Sequence, residues 1–373
     1  MLLYEKLSPQ VSFLKNTKNL LGFSGGVDSV GLFFILQHLG IAFDIAIVNY
    51  HTRKQSLDEM AYAKELAHIY HKKCFIKNAS QILSNFECEA RRIRYEFFDE
   101  LFSQHHYTHL LLAHQLNDHL EWMPMQLTKG AGLGNLLGFD ECRKTSQITY
   151  QIVRPLAYVP KNEIYQYCHK HSLRYFEDES NDNLAFRRNY FRKHFADKLI
   201  ETFSDGIAKS FAYLKEDKAS LMEFVQPQVL KTDSVSIYAI SQEYLSQKHL
   251  VLLLIDKIAK EFGCVLTFAQ RQEIIRCQFD CEIQNRLIIT RNAQKIFIAP
   301  KVPKIYLLGT KKRANIPKMS KYFKQQCRNE RIPPKLRLLL WAIFLRENKI
   351  DSQDSCQENI ELFLKPFDNF FTY

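Results

Sequence analysis

A short loop of glycine and serine has the residue types needed to hold phosphate groups. Ser24, Gly25 and Gly26 are followed by Asp28 and Ser29, between a strand-like and a helix-like segment. Glycines let backbone N–H groups face a phosphate, the helix N-terminus adds partial positive charge, and serine hydroxyls donate hydrogen bonds. The pattern predicts a phosphate-binding loop, with an ordinary capped turn as the alternative.

Two details of this loop limit the kinds of phosphate ligand that it can bind. It lacks the Gly-Lys-Ser/Thr ending of the common nucleotide-binding P-loop, which argues against a Walker-type NTPase. The Asp28 carboxylate would repel a phosphate unless a divalent cation lay between them. We therefore infer Mg²⁺ near Asp28.

Further along the chain, a set of three residues has side chains that could transfer protons. His114 follows a strand-like segment, and Asp118 and Glu121 lie three residues apart, which places both carboxylates on one face of a helix. Each also has an ordinary structural interpretation, His114 as a surface or capping residue and the two acids as partners of the helix dipole. All three are candidate catalytic residues.

The positive charge of the chain is concentrated in one tract. The net charge is +11, and the segment from Lys301 to Arg337 alone carries +11, with twelve basic residues and one acid. A localised basic tract indicates an anionic polymer partner such as nucleic acid, with a solvated basic face as the alternative.

The elements that must position these residues follow from the hydrophobic pattern. Strand-like and helix-like segments alternate over residues 1–200, which predicts an α/β fold, a doubly wound parallel sheet with helices on both faces. Ligands bind at the carboxyl ends of the strands in such folds. Longer helices follow over 201–300, with short strands at Ile283–Ile289 and Lys295–Ile298, and 301–373 is predicted to form a small basic α+β region.

Several segments together resemble one known family. Ser24–Ser29 matches S-G-G-x-D-S, the signature of PP-loop ATP pyrophosphatases, which cleave ATP between the α- and β-phosphates. Glu89–Tyr95 resembles E-A-R-x-x-R-Y, and Ala113–Glu121 resembles A-H-x-x-D-D-x-x-E. Further segments follow in the expected order: Val48–Arg53, Lys129–Gly134, Arg154–Leu156, Ser180–Asp182 and Arg188–Asn189. The set resembles the tRNA(Ile)-lysidine synthetase family up to about residue 195, and the resemblance resumes at Lys318–Arg337.

The resemblance implies a two-step ligase. ATP adenylates O2 of the wobble cytidine in an isoleucine tRNA with a CAU anticodon, and the side-chain amine of L-lysine then attacks C2, releasing AMP and leaving lysidine. The implied domains are a PP-loop ATP-binding catalytic domain (1–200), a mainly helical tRNA-binding domain (201–300) and a basic tRNA-recognition region (301–373).

The resemblance also assigns roles to individual residues. ATP would be bound by the loop, by His114 and by Arg188, with Mg²⁺ on Asp28; the loop residues are Ser24, Gly25, Gly26, Val27, Asp28 and Ser29. Lysine would be held by Arg94, Asp118 and Glu121, and the two acids would help its ammonium lose a proton. The tRNA would be held by Lys318, Lys321, Lys324, Arg331 and Arg337, with stacking on Tyr306, Tyr322 and Phe323.

The sequence departs from the family pattern near the candidate site. Asn117 replaces the first acid of a pair, His119 replaces a Gln, and Lys129 stands where Arg is usual. Tyr50-His51 replaces His-Gly. Pro124 is predicted to kink or shorten the helix that carries Asp118.

Glycine is scarce and clustered, which raises a further question. Eight of the 12 glycines lie in two windows, Gly22–Gly31 and Gly130–Gly138. A chain this sparing with glycine uses it where the backbone must approach something closely. For the second window three interpretations stay open: a loop over the active site, a surface for the RNA backbone, and a plain turn.

Two alternative functions are kept beside the ligase. One is another PP-loop tRNA modifier such as a 2-thiolation enzyme, although such enzymes carry paired cysteines and the nine cysteines here are scattered. The other is a non-catalytic tRNA-binding relative. The scattered cysteines and the absence of C-x-x-C predict reduced thiols and a cytoplasmic protein. No apolar run reaches the ~20 residues of a membrane span, and the oligomeric state is left open, with a homodimer as one option.

Overall fold

The computed structural model of the chain describes residues 3–51, 55–139, 142–144, 148–177, 187–232, 235–301, 318–347, 357–365 and 370–371. The chain divides into two compact units. The first unit comprises Met1–Thr128 and Leu136–Lys215, and the second comprises Lys129–Asn135 and Glu216–Tyr373. The predicted division into three domains at residues 200 and 300 stays a prediction.

A six-stranded sheet forms the centre of the first unit. Its strands have the spatial order β3-β2-β1-β4-β6-β5, and all neighbouring pairs are parallel except β5 with β6. Their bounds are β1 Asn19–Gly22, β2 Phe43–Asn49, β3 Cys74–Asn78, β4 His109–Leu111, β5 Cys142–Lys144 and β6 Thr149–Val153. The predicted doubly wound parallel sheet is confirmed.

Apolar residues on both faces of the central strands explain why helices cover both sides. Leu20 and Leu21 of β1 are both fully buried, and they belong to different hydrophobic clusters, as expected for a parallel strand covered on both faces. The helices of this unit are α1 Val27–His38, α2 Gln55–Ile69, α3 Phe86–His105, α4 Leu116–Leu127, α6 Lys161–Lys170 and α7 Arg187–Phe191. A π-helical turn at Arg192–Ala196 leads into α8 (Asp197–Glu223).

The second unit contains an antiparallel sheet of five strands in the order β7-β8-β11-β10-β9. The strands are β7 Gln228–Lys231, β8 Ser236–Ser241, β9 Cys281–Ile283, β10 Leu287–Arg291 and β11 Lys295–Pro300. Its helices are α5 Leu133–Leu136, α9 Lys248–Glu261, α10 Phe268–Arg276, α11 Lys321–Asn329, α12 Pro334–Glu347 and α13 Gln357–Leu364.

The single strand predicted at Ile283–Ile289 is wrong, because the chain reverses inside it. Gln284 and Asn285 have φ of 51° and 54°, and β9 and β10 pair antiparallel on either side of them. Positive φ is uncommon without glycine, and Asn285, a residue type that tolerates it, was the turn signal in this segment.

Two structural features of the described residues concern the cysteines and the lengths of the apolar helices. The seven cysteines whose side chains are described are free thiols. Among the described helices, none has the length and apolar character required to cross a bilayer.

Candidate active site

The loop after β1 is shaped by hydrogen bonds among its own residues. The Ser29 hydroxyl accepts from the backbone N–H of Ser24 at 3.2 Å and donates to the carbonyl of Gly26 at 3.0 Å. The Phe176 N–H donates to the Gly25 carbonyl at 2.9 Å. No described side chain caps the first turn of α1, so its N–H groups are available to an anion.

Gly25 has a conformation that other residues rarely adopt. Its φ is +80°, and a Cβ there would lie 3.2 Å from Cγ of Glu59. A side chain at Gly25 would therefore strain the backbone of this loop, while the predicted approach of the loop to phosphate groups stays a prediction.

Asp28, in the first turn of α1, has an unusual electrostatic position. Burial, together with the negative charge of Asp118, raises the pKa of Asp28 from its ordinary value of 3.8 to about 7, while Lys161 and Arg192 act in the opposite direction. Its Oδ1 atom is buried without a hydrogen-bond partner among the described residues. A buried carboxylate oxygen with no partner fits a divalent cation, although no cluster of three or more ligands is found among the described residues.

His114 follows β4, as the sequence predicts, and its protonation state is set by its surroundings. Burial and then the positive charges of Arg154, Arg188 and Arg94 hold its pKa well below the ordinary value of 6.5. Nε of Arg154 donates to Nδ1 of His114 at 3.3 Å. Because Nδ1 accepts, the neutral ring carries its proton on Nε2, which makes that nitrogen a donor.

Asp118 and Glu121 lie on the same face of α4, and two arginines from the following helical segment contact them. Arg188 donates from Nε to Oε2 of Glu121 at 2.6 Å and from Nη2 to Oδ1 of Asp118. Arg192 donates from Nε to Oε1 of Glu121 at 2.5 Å. The Glu121 side chain is only 1% exposed, so this carboxylate is buried and fully paired.

Asn117 has a structural explanation for its departure from the family pattern. Its Nδ2 donates to Oδ1 of Asp197 at 3.1 Å, and its Oδ1 accepts from the Lys161 N–H at 3.1 Å. An aspartate could not donate to Asp197, so the amide ties the start of α4 to both α6 and α8.

Two other departures from the family pattern, at His51 and Pro124, fit the backbone conformation of the chain. His51 has φ of 54°, the left-handed region that favours glycine, and the family pattern has glycine there. Pro124 lies inside α4, which continues to Leu127. The helix is therefore not cut short at the proline.

The structure therefore brings most of the sequence-predicted catalytic residues together in the first unit. The loop, Asp28, His114, Asp118, Glu121 and Arg188 are linked by hydrogen bonds or electrostatic contacts. Arg94 is exposed on α3, and its charge reaches His114.

The predicted tRNA-binding residues lie in the second unit, around α11 and α12. Lys318, Lys321 and Arg331 are exposed, while Lys324 and Arg337 are half-buried. Phe323 is fully buried in a hydrophobic core, so its predicted stacking role is wrong. Tyr306 and the segments 52–53 and 180–182 lie outside the described residues.

Sequence reasoning missed roles for two arginines. Arg192 lies four residues after Arg188, and this spacing places both on one helical face. Arg154 stands in the Arg-Pro-Leu segment of the family pattern, but only the fold shows that it contacts His114. The i, i+4 spacing predicts that Arg192 shares a helical face with Arg188, but it does not identify Glu121 as the partner of Arg192; Arg154 had no signal in its local sequence.

The second glycine window is divided between the two units. Gly130, Gly132 and Gly134 belong to the second unit, where they pack against α9 and α10, and Gly138 lies in the first unit against Trp122. Nζ of Lys260 donates to the Gly134 carbonyl at 3.0 Å. A Cβ on Gly132 would lie 3.2 Å from Nη1 of Arg271, and Arg271 is held in a buried ion pair with Asp256, with Nη2 to Oδ2 at 2.9 Å. In this structure the window is a packing element.

We predict that Gly132→Ala lowers the free energy of unfolding by about 1–2 kcal/mol, because the ion-paired guanidinium cannot easily move away from the new methyl group. Urea denaturation measures the loss. Gly206→Ala is the control, since a Cβ there meets no atom within 4 Å. That change, in a helix interior, should stabilise by about 0.5–1 kcal/mol. Equal stability of Gly132→Ala and wild type would show that the close packing is not needed.

The fold and this site define a PP-loop protein, and comparison with known sequences agrees. A family model described as a PP-loop domain matches residues 3–199. Three curated relatives have the name tRNA(Ile)-lysidine synthase. The one from Helicobacter hepaticus is 45% identical over 403 residues, covering 98% of this chain and 94% of the relative.

The other two relatives give nearly the same coverage. The Helicobacter pylori (strain ATCC 700392 / 26695) protein is 44% identical over 334 residues, covering 90% of this chain and 92% of the relative. The Campylobacter jejuni subsp. jejuni protein is 39% identical over 332 residues, covering 89% and 94%. The chain belongs to the tRNA(Ile)-lysidine synthase family.

Proposed function

We propose that this chain ligates L-lysine to C2 of the wobble cytidine in the CAU-anticodon isoleucine tRNA, with ATP cleaved to AMP and pyrophosphate. The near-full-length match to relatives of that name carries the proposal. The geometry supports it, because one site combines a phosphate loop, a neutral histidine and two buried carboxylates. Because the chain belongs to this family, the ligase function is favoured over the two alternatives, a 2-thiolation enzyme and a non-catalytic tRNA-binding relative.

ATP binding is assigned to the loop and to His114. The N–H groups of the first turn of α1 and the Ser24 hydroxyl face the position of the pyrophosphate, where they stabilise negative charge as it develops. The Nε2–H group of His114 donates to the α-phosphate while the cytidine oxygen attacks it. A neutral imidazole suits this role, since its N–H group donates a hydrogen bond to the phosphate while the ring itself stays uncharged.

Mg²⁺ is assigned to Asp28, which has the buried unpaired oxygen described above. Asp28 would hold the cation, which would supply positive charge to neutralise the leaving pyrophosphate and would remove the repulsion between the Asp28 carboxylate and the phosphates.

Lysine binding is assigned to Asp118 and Glu121, with Arg94 as the partner of its carboxylate. The two arginines already contact these acids, so Arg188 must share or exchange its contacts when the lysine ammonium enters. The carboxylates then accept the ammonium proton, which frees the nitrogen lone pair for attack on C2.

An incorporation assay tests the proposal directly. The protein is incubated with ATP, labelled lysine and the CAU isoleucine tRNA, and in parallel with methionine tRNA. Label in the isoleucine tRNA alone is the expected result. ATP consumption without label in either tRNA would reject the ligase function.

The basic residues of the second unit are proposed to hold the tRNA backbone. A triple variant with Lys318→Glu, Lys321→Glu and Arg331→Glu reverses the three exposed charges. Its tRNA affinity should be at least about tenfold weaker, and the slope of log affinity against log salt concentration should fall by the amount expected for the loss of about two to three phosphate contacts. Filter binding across a salt series measures both quantities, and ATP affinity should not change.

A control variant separates local contact from total charge. Lys15→Glu, Lys64→Glu and Lys170→Glu together change the net charge equally, at exposed positions of the first unit. If this control weakens tRNA binding as much as the first triple variant does, the assigned residues have no specific role.

A further inference from the structure

The second glycine window ends at a corner that places an aromatic ring against His114. Gly138 has φ of +65°, and a Cβ there would lie 2.8 Å from Cδ1 of Trp122, so this corner requires glycine. Phe139 follows directly, and its ring centroid lies 4.7 Å from that of His114, with 34° between the ring planes. This end of the window therefore brings a side chain to the candidate active site.

The Phe139 ring is itself held by other groups of the first unit. Cζ of Arg154 lies 4.8 Å from its centroid, and the His119 ring meets it nearly at a right angle, with centroids 4.6 Å apart. Phe211 of α8 packs against His119 in turn, at 5.2 Å. Cation–π and edge-to-face contacts of this kind favour particular ring orientations, so the Phe139 ring is restrained where it contacts His114.

Arg154 restrains His114 as well, through the hydrogen bond from its Nε to Nδ1 of His114 at 3.3 Å. Arg154 is only 6% exposed, and a guanidinium has donors and no acceptor. Nδ1 of His114 must therefore accept. A half-turn of the imidazole would bring carbon Cδ2 to this position, where it cannot accept, and the half-turn would also break the contact with Phe139.

The charge state of His114 depends on the same two neighbours. Burial, and then the positive charge of Arg154, hold the pKa of His114 well below its ordinary value of 6.5. Burial also lowers the pKa of His119 to about 4, so this second ring is neutral at pH 7. Removing either the cover that Phe139 provides or the charge of Arg154 would raise the pKa of His114. The other charged groups that act on the two histidines are Arg188, Arg94 and Arg91 on His114, and Asp118 and Lys215 on His119.

We propose that Phe139 and Arg154 are positioning residues for His114, holding its ring in the one orientation in which Nδ1 accepts from Arg154 and the Nε2–H group is left to donate to the α-phosphate. Both residues act through His114 rather than on the substrate. The inference deepens the proposed function and rests on it for the identity of the phosphate, but the state of the His114 ring can be measured without catalysis.

The ring nitrogens of His114 are observed by NMR in protein labelled with ¹⁵N in histidine, and the His114 signals are the ones lost in His114→Gln. In wild type at pH 7, Nε2 should carry the proton and Nδ1 should carry none. Arg154→Met removes the donor at similar length, and Phe139→Ala opens the imidazole to water. In both variants a population with the proton on Nδ1 should appear, and the titration midpoint of His114 should rise towards 6.5.

The first reaction step gives a second readout. Exchange of pyrophosphate into ATP, with tRNA present and lysine absent, reports adenylation of the cytidine. Both variants should slow this exchange about tenfold or more, up to the roughly hundredfold loss expected when an electrostatic donor is removed. The KM for lysine in the complete reaction should stay within about twofold of wild type. Phe139→Leu, which keeps the imidazole covered, should retain the wild-type proton position and exchange within about threefold of the wild-type rate.

Phe75→Ala is the matched control, because Phe75 packs against another histidine of the first unit in almost the same geometry. Its ring centroid lies 4.8 Å from that of His105, also with 34° between the planes, and both residues are half-buried. Loss of this ring should leave the His114 signals and the exchange rate unchanged.

Three results would overturn the proposal. A proton on Nδ1 of His114 in wild type rejects it, and this holds even if a variant fails to fold. Wild-type proton positions in both Arg154→Met and Phe139→Ala also reject it. Slow exchange by Phe139→Ala with unchanged His114 signals would show that Phe139 contacts the substrate itself instead of positioning His114.

Failure of this inference is distinguishable from failure of the proposed function. Lysine incorporation by wild type, with His114 signals indifferent to both residues, overturns the positioning role alone. The expected changes at His114, without lysine incorporation by wild type, overturn the ligase function and leave Phe139 and Arg154 as the residues that orient His114.

Discussion

Replacing Glu121 by Gln should lower the rate of lysine incorporation at least about a hundredfold, the lower range for loss of a general base. The Glu121 carboxylate is buried and accepts hydrogen bonds from Arg188 and Arg192 at 2.6 and 2.5 Å. An amide carries no charge to attract the lysine ammonium, and its N–H₂ group would face guanidinium donors. ATP affinity should stay within about twofold, because the loop and His114 are unchanged.

The same substitution should also destabilise the fold. Removing one partner of a buried ion pair costs about 3–5 kcal/mol, since the remaining charges are left uncompensated. Urea denaturation measures this loss beside the activity. Rescue of incorporation by Glu121→Asp, even in part, would show that the carboxylate itself is needed.

A surface ion pair supplies the control for both measurements. Glu96 accepts from Arg92 at 2.7 Å, and its side chain is 53% exposed, so Glu96→Gln should cost less than about 1 kcal/mol and leave incorporation unchanged. Wild-type activity in Glu121→Gln would remove Glu121 from the lysine site. Wild-type stability would show that the arginine contacts contribute little to the fold.

The parts of the site that were predictable from sequence are the ones encoded by local spacing. The loop from Ser24 to Ser29 follows β1 and its last three residues form the first turn of α1, as its glycines and flanking apolar residues indicate. Asp118 and Glu121 share a face of α4 because three residues make nearly one helical turn. The alternation of strands and helices specified the parallel sheet in the same local way.

The parts that were not predictable depend on contacts between distant segments. Arg154 and His114 are 40 residues apart, and Arg192 and Glu121 are 71 apart. No local sequence pattern indicates which side chains from such distant segments will contact each other in the fold. Phe323 illustrates the opposite case, since its neighbours Lys321 and Lys324 suggested an RNA surface, yet its own ring lies in the core.

Paired charges explain how three carboxylates coexist at one site. Asp118 and Glu121 are neutralised by Arg188 and Arg192. Asp28 is not paired in this way, and burial and the charge of Asp118 act on it together. Among the described residues, Asp28 is the carboxylate of this site whose Oδ1 has no hydrogen-bond partner, and it lies in the candidate phosphate-binding loop.

Asp28→Asn should abolish lysine incorporation and at the same time stabilise the metal-free protein. The folded pKa of about 7 lies above the ordinary value of 3.8, so the folded protein binds the proton more tightly than the unfolded chain does. The buried charge then costs stability fully above pH 7, and the cost disappears as the pH falls towards 4. The amide has no such charge.

Urea denaturation without Mg²⁺ should find Asp28→Asn more stable than wild type by on the order of 2 kcal/mol at pH 8, after discounting for partial solvent exposure. The difference should shrink at pH 5. Added Mg²⁺ should stabilise wild type at pH 8, and the variant much less.

Asp205→Asn provides a control of opposite sign, because hydrogen bonding to Lys6 lowers the pKa of Asp205, so loss of the Asp205 carboxylate should slightly destabilise the protein at pH 8. A variant at position 28 that is less stable than wild type at pH 8, or responds equally to Mg²⁺, would contradict the assignment: the carboxylate would then be held by the protein for its own fold rather than kept free for a cation.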